Sequence, residues 1–172
     1  MLQYLSEWLS QTSLNTVFSD PTHLETWLII PVSQTIHILA VAVVMISVGM
    51  LNLRLLGIGA ARQSFAGLCA RSVPWIWAGL AILFITGAVQ TIAEPTREIM
   101  NITFRTKMVM LMITVAITVL YSVQVKKDPS YWERSQERQN LARALATVSL
   151  VLWVGIATAG RLIAYFGAME DF

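Results

Sequence analysis

Four long stretches of this chain contain no Asp, Glu, Lys or Arg. They lie between Glu25 and Arg54, between Arg71 and Glu94, between Lys107 and Lys126, and between Arg143 and Arg161. Each stretch runs for 17 or more residues, and a helix needs about 20 mostly apolar residues to cross a bilayer core. We therefore predict four transmembrane helices, near residues 27–53, 73–93, 106–125 and 144–166. The predicted fold class is an all-α integral membrane protein, a four-helix bundle in a single membrane domain over residues 1–172.

The composition agrees with this fold class and argues against a soluble globule. Only 13% of the residues are charged, whereas a soluble domain carries about 25%. The apolar residues make up 56% of the chain, and its mean hydropathy is +0.63. A globule of this size could not bury that much apolar surface, so the lipid bilayer is the predicted environment.

The segment before the first predicted helix has an amphipathic pattern. Leu2, Leu5, Trp8 and Leu9 recur at helical spacing, with polar residues between them. This pattern predicts a short amphipathic helix lying at the membrane surface within residues 1–19. A frayed polar segment is the alternative, and the absence of basic residues argues against a secretory signal.

Basic residues are concentrated in two connections between the predicted helices. Those connections hold eight of the twelve Lys and Arg residues: Arg54, Arg62 and Arg71 after the first helix, and Lys126, Lys127, Arg134, Arg138 and Arg143 after the third. Because positive charge favours the cytoplasmic side, we predict a bacterial inner-membrane protein with both termini in the periplasm. A formal net charge of +2 is too small to predict nucleic-acid binding.

Polar residues of all four predicted helices fall in the half of the bundle that would face the periplasm. They are Gln34 and His37 on the first helix, Thr86, Gln90 and Thr91 on the second, Arg105, Thr106 and Lys107 on the third, and Thr158 and Arg161 on the fourth. The other half offers little beyond Ser47, Asn52 and Ser122. An ionisable residue inside a membrane span is costly, so His37 marks a candidate functional site.

The residue types around His37 are those that a haem would use. Neutral imidazole is a common axial ligand of haem iron, and Lys107, Arg161 and Arg105 would suit the two propionates. Gln34 and Gln90 would complete the polar lining, and small residues such as Gly79 and Gly87 would let a flat ring approach a helix closely. The sequence thus predicts haem b, with its iron on His37.

Other interpretations of these residues stay open at this stage. His37, Gln34 and Gln90 could form hydrogen bonds between helices. Lys107 and Arg161 could extend their charged ends to the membrane surface.

The second histidine raises the possibility of two haems. His23 and His37 are close to four helical turns apart, so one unbroken helix would align them on one face. Pro21 and Pro31 argue against such a helix, and a two-haem site would need a homo-oligomer.

The chain resembles a known group of membrane proteins at three places. They are the segment from His37 to Arg54, "AILFITGAVQ" in the second helix and "FRTKMVMLM" at the start of the third. The group comprises the HemJ-type protoporphyrinogen oxidases and the CopD-like copper-resistance domains, which are small four-helix membrane proteins. The resemblance implies that His37 takes the place of the family's haem-binding histidine and Lys107 that of its lysine. Gly160-Arg161 is similar to a motif of the CopD-like domains. The tryptophan expected after the histidine is absent, so we predict a distinct branch.

The function predicted from the sequence is electron transfer or redox chemistry by a membrane-embedded haem b protein. A quinone or a redox protein would be its partner. Two alternatives are oxidation of a tetrapyrrole, as in the HemJ type, and a non-catalytic accessory or transport-related subunit.

Overall fold

The computed structural model describes residues 2–19, 24–58 and 63–166. These residues form seven helices and no strand. They are α1 (Leu2–Ser10), α2 (Ser13–Ser19), α3 (Leu24–Leu55), α4 (Phe65–Ala93), α5 (Pro95–Met100), α6 (Ile102–Lys127) and α7 (Gln136–Phe166).

Four of these helices, α3, α4, α6 and α7, are long and apolar enough to cross a membrane. The prediction of an all-α four-helix membrane bundle is confirmed. Each helix contains its predicted span and extends beyond it at one or both ends. The largest differences are at the starts of α4 and α7, which begin at Phe65 and Gln136 rather than near residues 73 and 144. At α7 the charged residues before the apolar run are themselves good helix formers.

Two prolines lie inside long helices without ending them. Pro31 is in the second turn of α3, and Pro74 is in the third turn of α4. Pro31 thus lies inside α3, as it does inside the predicted span of residues 27–53, and membrane helices tolerate proline when neighbouring groups satisfy the freed carbonyl. His23 lies outside the described residues, so the argument against its alignment with His37 on one straight helix stays a prediction.

The bundle exposes apolar side chains on its outside. Ile38, Phe84, Met112 and Val151 are each more than 60% exposed although they lie near the middle of their helices. The interior is built from residues of all four spans: Val44, Val48, Leu51, Phe65, Leu68, Ile76, Ile117, Tyr121, Trp153 and Ile156. An apolar surface around an apolar core is the arrangement that a bilayer requires.

The bundle consists of two antiparallel helix pairs, α3 with α4 and α6 with α7, which are joined mainly through α3 and α7. A glycine lies in each tight contact. Gly79 packs directly on the Val44 side chain, and a Cβ at Gly155 would lie 3.1 Å from the Met110 sulfur. Small residues let membrane helices approach closely and gain dispersion energy.

The two ends of the bundle differ in how they are closed. We call the end where α3 begins and α4 ends the histidine end, because His37 lies in the half of α3 nearer to it. There α1 packs on α5, and α2 packs on α4 and α3. Asn15 caps α4 there, because its amide donates to the carbonyls of Ile92 and Ala93 at 2.7 and 3.3 Å. The predicted N-terminal amphipathic helix is thus two short helices, and α5 was not predicted.

The opposite end carries most of the positive charge, and we call it the basic end. It comprises the end of α3, the start of α4 and the connection between α6 and α7, with Arg54, Arg71, Lys126, Lys127, Arg134, Arg138 and Arg143. Asp128 begins the connection by accepting from Ser130, whose hydroxyl lies 2.9 Å away. This hydrogen bond lowers the pKa of Asp128, so the turn keeps its carboxylate ionised.

The contact between Gly79 and Val44 predicts a local limit on side-chain size. In Gly79→Ala the new methyl group would collide with Val44, whose β-branched side chain is stiff. We expect a loss of about 1–3 kcal/mol, typical of overpacking, measured as a lower midpoint of thermal unfolding in detergent. Gly49→Ala is the matched control, because a Cβ at Gly49 meets no atom within 4 Å.

Adding Val44→Ala to Gly79→Ala should recover part of the lost stability. Equal midpoints for the two glycine variants would contradict this account of the α3–α4 contact.

Candidate functional site

His37 lies on the face of α3 that packs against α4, and its side chain is half-buried. Its Nδ1 is 2.7 Å from the Thr86 hydroxyl oxygen of α4. One turn earlier on the same face, the Ser33 hydroxyl donates to the Thr86 carbonyl at 3.4 Å. Two hydrogen bonds between α3 and α4 therefore involve Thr86, one through its hydroxyl and one through its carbonyl.

The hydrogen bonds of Thr86 indicate which nitrogen of His37 carries the proton. A threonine hydroxyl has one proton to donate, and Thr86 directs it to the Ile82 carbonyl at 2.7 Å, inside its own helix. With that proton engaged inside α4, we infer that Thr86 accepts from His37 and that Nδ1 carries the hydrogen. In a neutral imidazole the other nitrogen, Nε2, then keeps its lone pair for a ligand.

Gly87 gives the imidazole of His37 room beside α4. A Cβ at Gly87 would lie 3.7 Å from Cε1, the ring carbon between the two nitrogens. A methyl group would only touch the ring at that distance, but a branched side chain would displace it. Thr86 and Gly87 thus position the ring together, one by a hydrogen bond and the other by its small size.

Lys107 lies on α6 and faces the region around His37 from the α6–α7 pair. Its side chain is half-buried, and its ammonium interacts electrostatically with His37 and with Glu98 of α5. Its Nζ would be 3.8 Å from a Cβ at Gly160 of α7. A glycine therefore makes space for the cation, as Gly87 does for the imidazole.

Gln90 lies one turn beyond Thr86 on α4 and is half-buried. Its amide nitrogen is buried and has no hydrogen-bond partner within the described part of the chain. A buried donor without an acceptor costs about 1–3 kcal/mol. Gln90 therefore offers a donor to an acceptor-bearing group beside His37.

The remaining predicted site residues lie on the outside of the bundle. Gln34, Arg105 and Arg161 are all exposed. The structure thus brings His37, Lys107 and Gln90 into the interior of the histidine end, and it leaves the other three at the surface. Across residues 2–19, 24–58 and 63–166, no group of three or more His, Cys, Asp or Glu side chains is placed to hold a metal ion.

Sequence reasoning missed two features of this bundle. It noted Thr86 as one polar residue among many but did not identify it as the partner of His37. It also expected few polar groups in the half toward the basic end, where Ser72, Thr118, Tyr121 and Ser149 are nevertheless buried. Ser149 accepts there from the Asn52 amide at 2.9 Å.

A family model matches residues 22–166, which include all four membrane-spanning helices and the site around His37. The chain belongs to this family, described as a family of unknown function (DUF6644). The match excludes α1 and α2, so the family segment is the bundle with its short α5. No curated protein and no solved structure shows detectable similarity to the chain.

The tautomer of His37 can be tested directly. His23 and His37 are the two histidines of the chain, so His23→Gln leaves His37 as the single imidazole. We expect the ¹⁵N spectrum of this variant, labelled on histidine, to show hydrogen on Nδ1. Thr86→Val should shift the population toward hydrogen on Nε2, because it removes the acceptor while keeping the side-chain shape.

Thr91→Val is the matched control, because the Thr91 hydroxyl donates only within its own helix, to the Gly87 carbonyl at 2.9 Å. A wild-type signal with hydrogen on Nε2 would contradict the assignment.

Proposed function

We propose that this protein is a membrane-embedded haem b protein whose iron is bound by His37 Nε2. The observation that supports this proposal most directly is the hydrogen bond from His37 Nδ1 to Thr86. Histidines that bind metals donate the N–H of their other ring nitrogen to a fixed acceptor, which sets the tautomer and orients the ring. His37 has this arrangement, with Nε2 as the nitrogen left for iron.

The other interior residues fit the same group. Lys107 supplies a cation for a propionate, and Gln90 supplies a buried donor without a partner. Gly87 and Gly160 keep the space beside the imidazole and the ammonium free of side chains. Arg105, Arg161 and Gln34, all exposed, would act at the rim of the site, where a second propionate meets water.

Haem b supplies one-electron chemistry when it is bound. The chain's own residues hold the ring, neutralise its carboxylates and keep the site at the histidine end. With the basic end in the cytoplasm, the haem would lie toward the periplasmic face of a bacterial inner membrane. A quinone or a redox protein would then exchange electrons with it from that side.

A second candidate is oxidation of a tetrapyrrole, the activity of the HemJ-type enzymes that the chain resembles. The electrostatic interaction between Lys107 and His37 favours it, because a cation that faces the haem site could also receive a carboxylate of a second tetrapyrrole. Consumption of protoporphyrinogen by the haem-loaded protein would distinguish this activity from electron transfer alone. An accessory subunit without a cofactor is the third alternative, and such a protein would be colourless.

The two histidines provide a matched pair of variants for this proposal. We expect His37→Ala to lose at least about nine-tenths of its haem per chain, because removing an axial ligand removes the main bond to the group. His23→Ala should keep the wild-type amount. The measurement is the pyridine haemochrome content of protein purified in detergent, with helicity by circular dichroism as the check on folding.

Stoichiometric haem in folded His37→Ala would end the assignment of His37 as the ligand. Loss of haem from His23→Ala as well would point to a site that involves both histidines.

A further inference from the structure

A cleft of about 300 Å³ opens at the basic end, far from His37. Its walls come from three parts of the chain that meet there: the end of α3, the connection before α7 and the first turns of α7. Ligand pockets typically measure about 300–1,000 Å³. The cleft is therefore large enough for one small head group.

Two arginines line this cleft, and the first is held firmly in place. Arg54 Nε donates to the Gln63 carbonyl at 2.7 Å, and its Nη2 pairs with Glu133 at 2.9 Å. The second, Arg143, lies on α7 and is exposed. With one carboxylate against two guanidinium groups, the lining keeps a positive charge that favours an anion.

Trp132 also lines the cleft, and it is rigidly packed. Tyr121 and Tyr131 contact it edge to face, with ring centroids 5.5 and 5.0 Å from its own. The residue is 2% exposed, and its indole N–H has no acceptor within the part of the chain that the structure describes. Trp132 thus forms a rigid aromatic part of the cleft wall.

The height of the cleft along the bundle indicates where its ligand comes from. Arg54 is in the last turn of the membrane-spanning α3, and Arg143 directly precedes the uncharged run of α7. Both therefore lie at the boundary between the apolar span and water. The phosphates of membrane lipids occupy this level, and basic clefts there attract anionic lipids.

We propose that this cleft binds the phosphate of an anionic phospholipid. Arg143 is the residue that engages the phosphate, and Arg54, held by Glu133 and the Gln63 carbonyl, provides a fixed positive wall. This site is independent of the haem site, since it lies at the other end of the bundle and shares no residue with it.

Lipid binding to the full chain in detergent tests the proposal by native mass spectrometry. The probes are phosphatidylglycerol, phosphatidylcholine with the same acyl chains, and inorganic phosphate. We expect phosphatidylglycerol to bind more tightly than phosphatidylcholine. Arg143→Gln should weaken phosphatidylglycerol binding about fivefold, the change expected for one basic contact with an anionic surface.

Arg134→Gln is the matched control, because Arg134 is exposed and pairs with Asp128 at 3.1 Å, outside the cleft lining. It should leave phosphatidylglycerol binding unchanged. Equal affinity for the two lipids, or equal effects of the two substitutions, would overturn the proposal. Binding of inorganic phosphate that depends on Arg143, without binding of phosphatidylglycerol, would overturn the lipid assignment in favour of a soluble anion.

Discussion

The core of a bilayer offers no hydrogen-bond partner, and this constraint explains how the polar residues of the bundle are arranged. A buried polar side chain there is costly unless it finds a partner within the protein or in a bound group. Thr86 satisfies its own hydroxyl inside α4 and still accepts from His37. Asn52 and Ser149 pair between α3 and α7 for the same reason. His37 is thus left with one nitrogen for a ligand.

Glycines connect the packing of the helices to the candidate site. In the α3–α4 pair, Gly79 permits the close contact with Val44, and Gly87 leaves room for the imidazole two turns further along. In the α6–α7 pair, Gly155 meets Met110, and Gly160 leaves room for Lys107. In each pair one glycine therefore brings the helices together, and a second keeps space beside an ionisable group.

The uncharged runs were sufficient to predict four spans, because a bilayer imposes both their length and their apolar character. Residue patterns could not predict which helices are neighbours. The spans are apolar on nearly all sides, so the sequence does not indicate which face of a helix packs against which neighbour. Several threonines and glutamines lie at the level of His37, and only the pairing of α3 with α4 selects Thr86. The exposed positions of Gln34, Arg105 and Arg161 likewise depend on helix rotation, which composition does not determine.

The central claim is that this bundle binds haem through His37. The most direct measurement is the visible spectrum of the wild-type protein purified in detergent, oxidised and then reduced with dithionite. We predict a Soret band with α and β bands in the reduced state, at about one haem per chain, as one axial histidine implies. A preparation that stays colourless after haem is supplied would contradict the account and leave His37 as a structural link between α3 and α4.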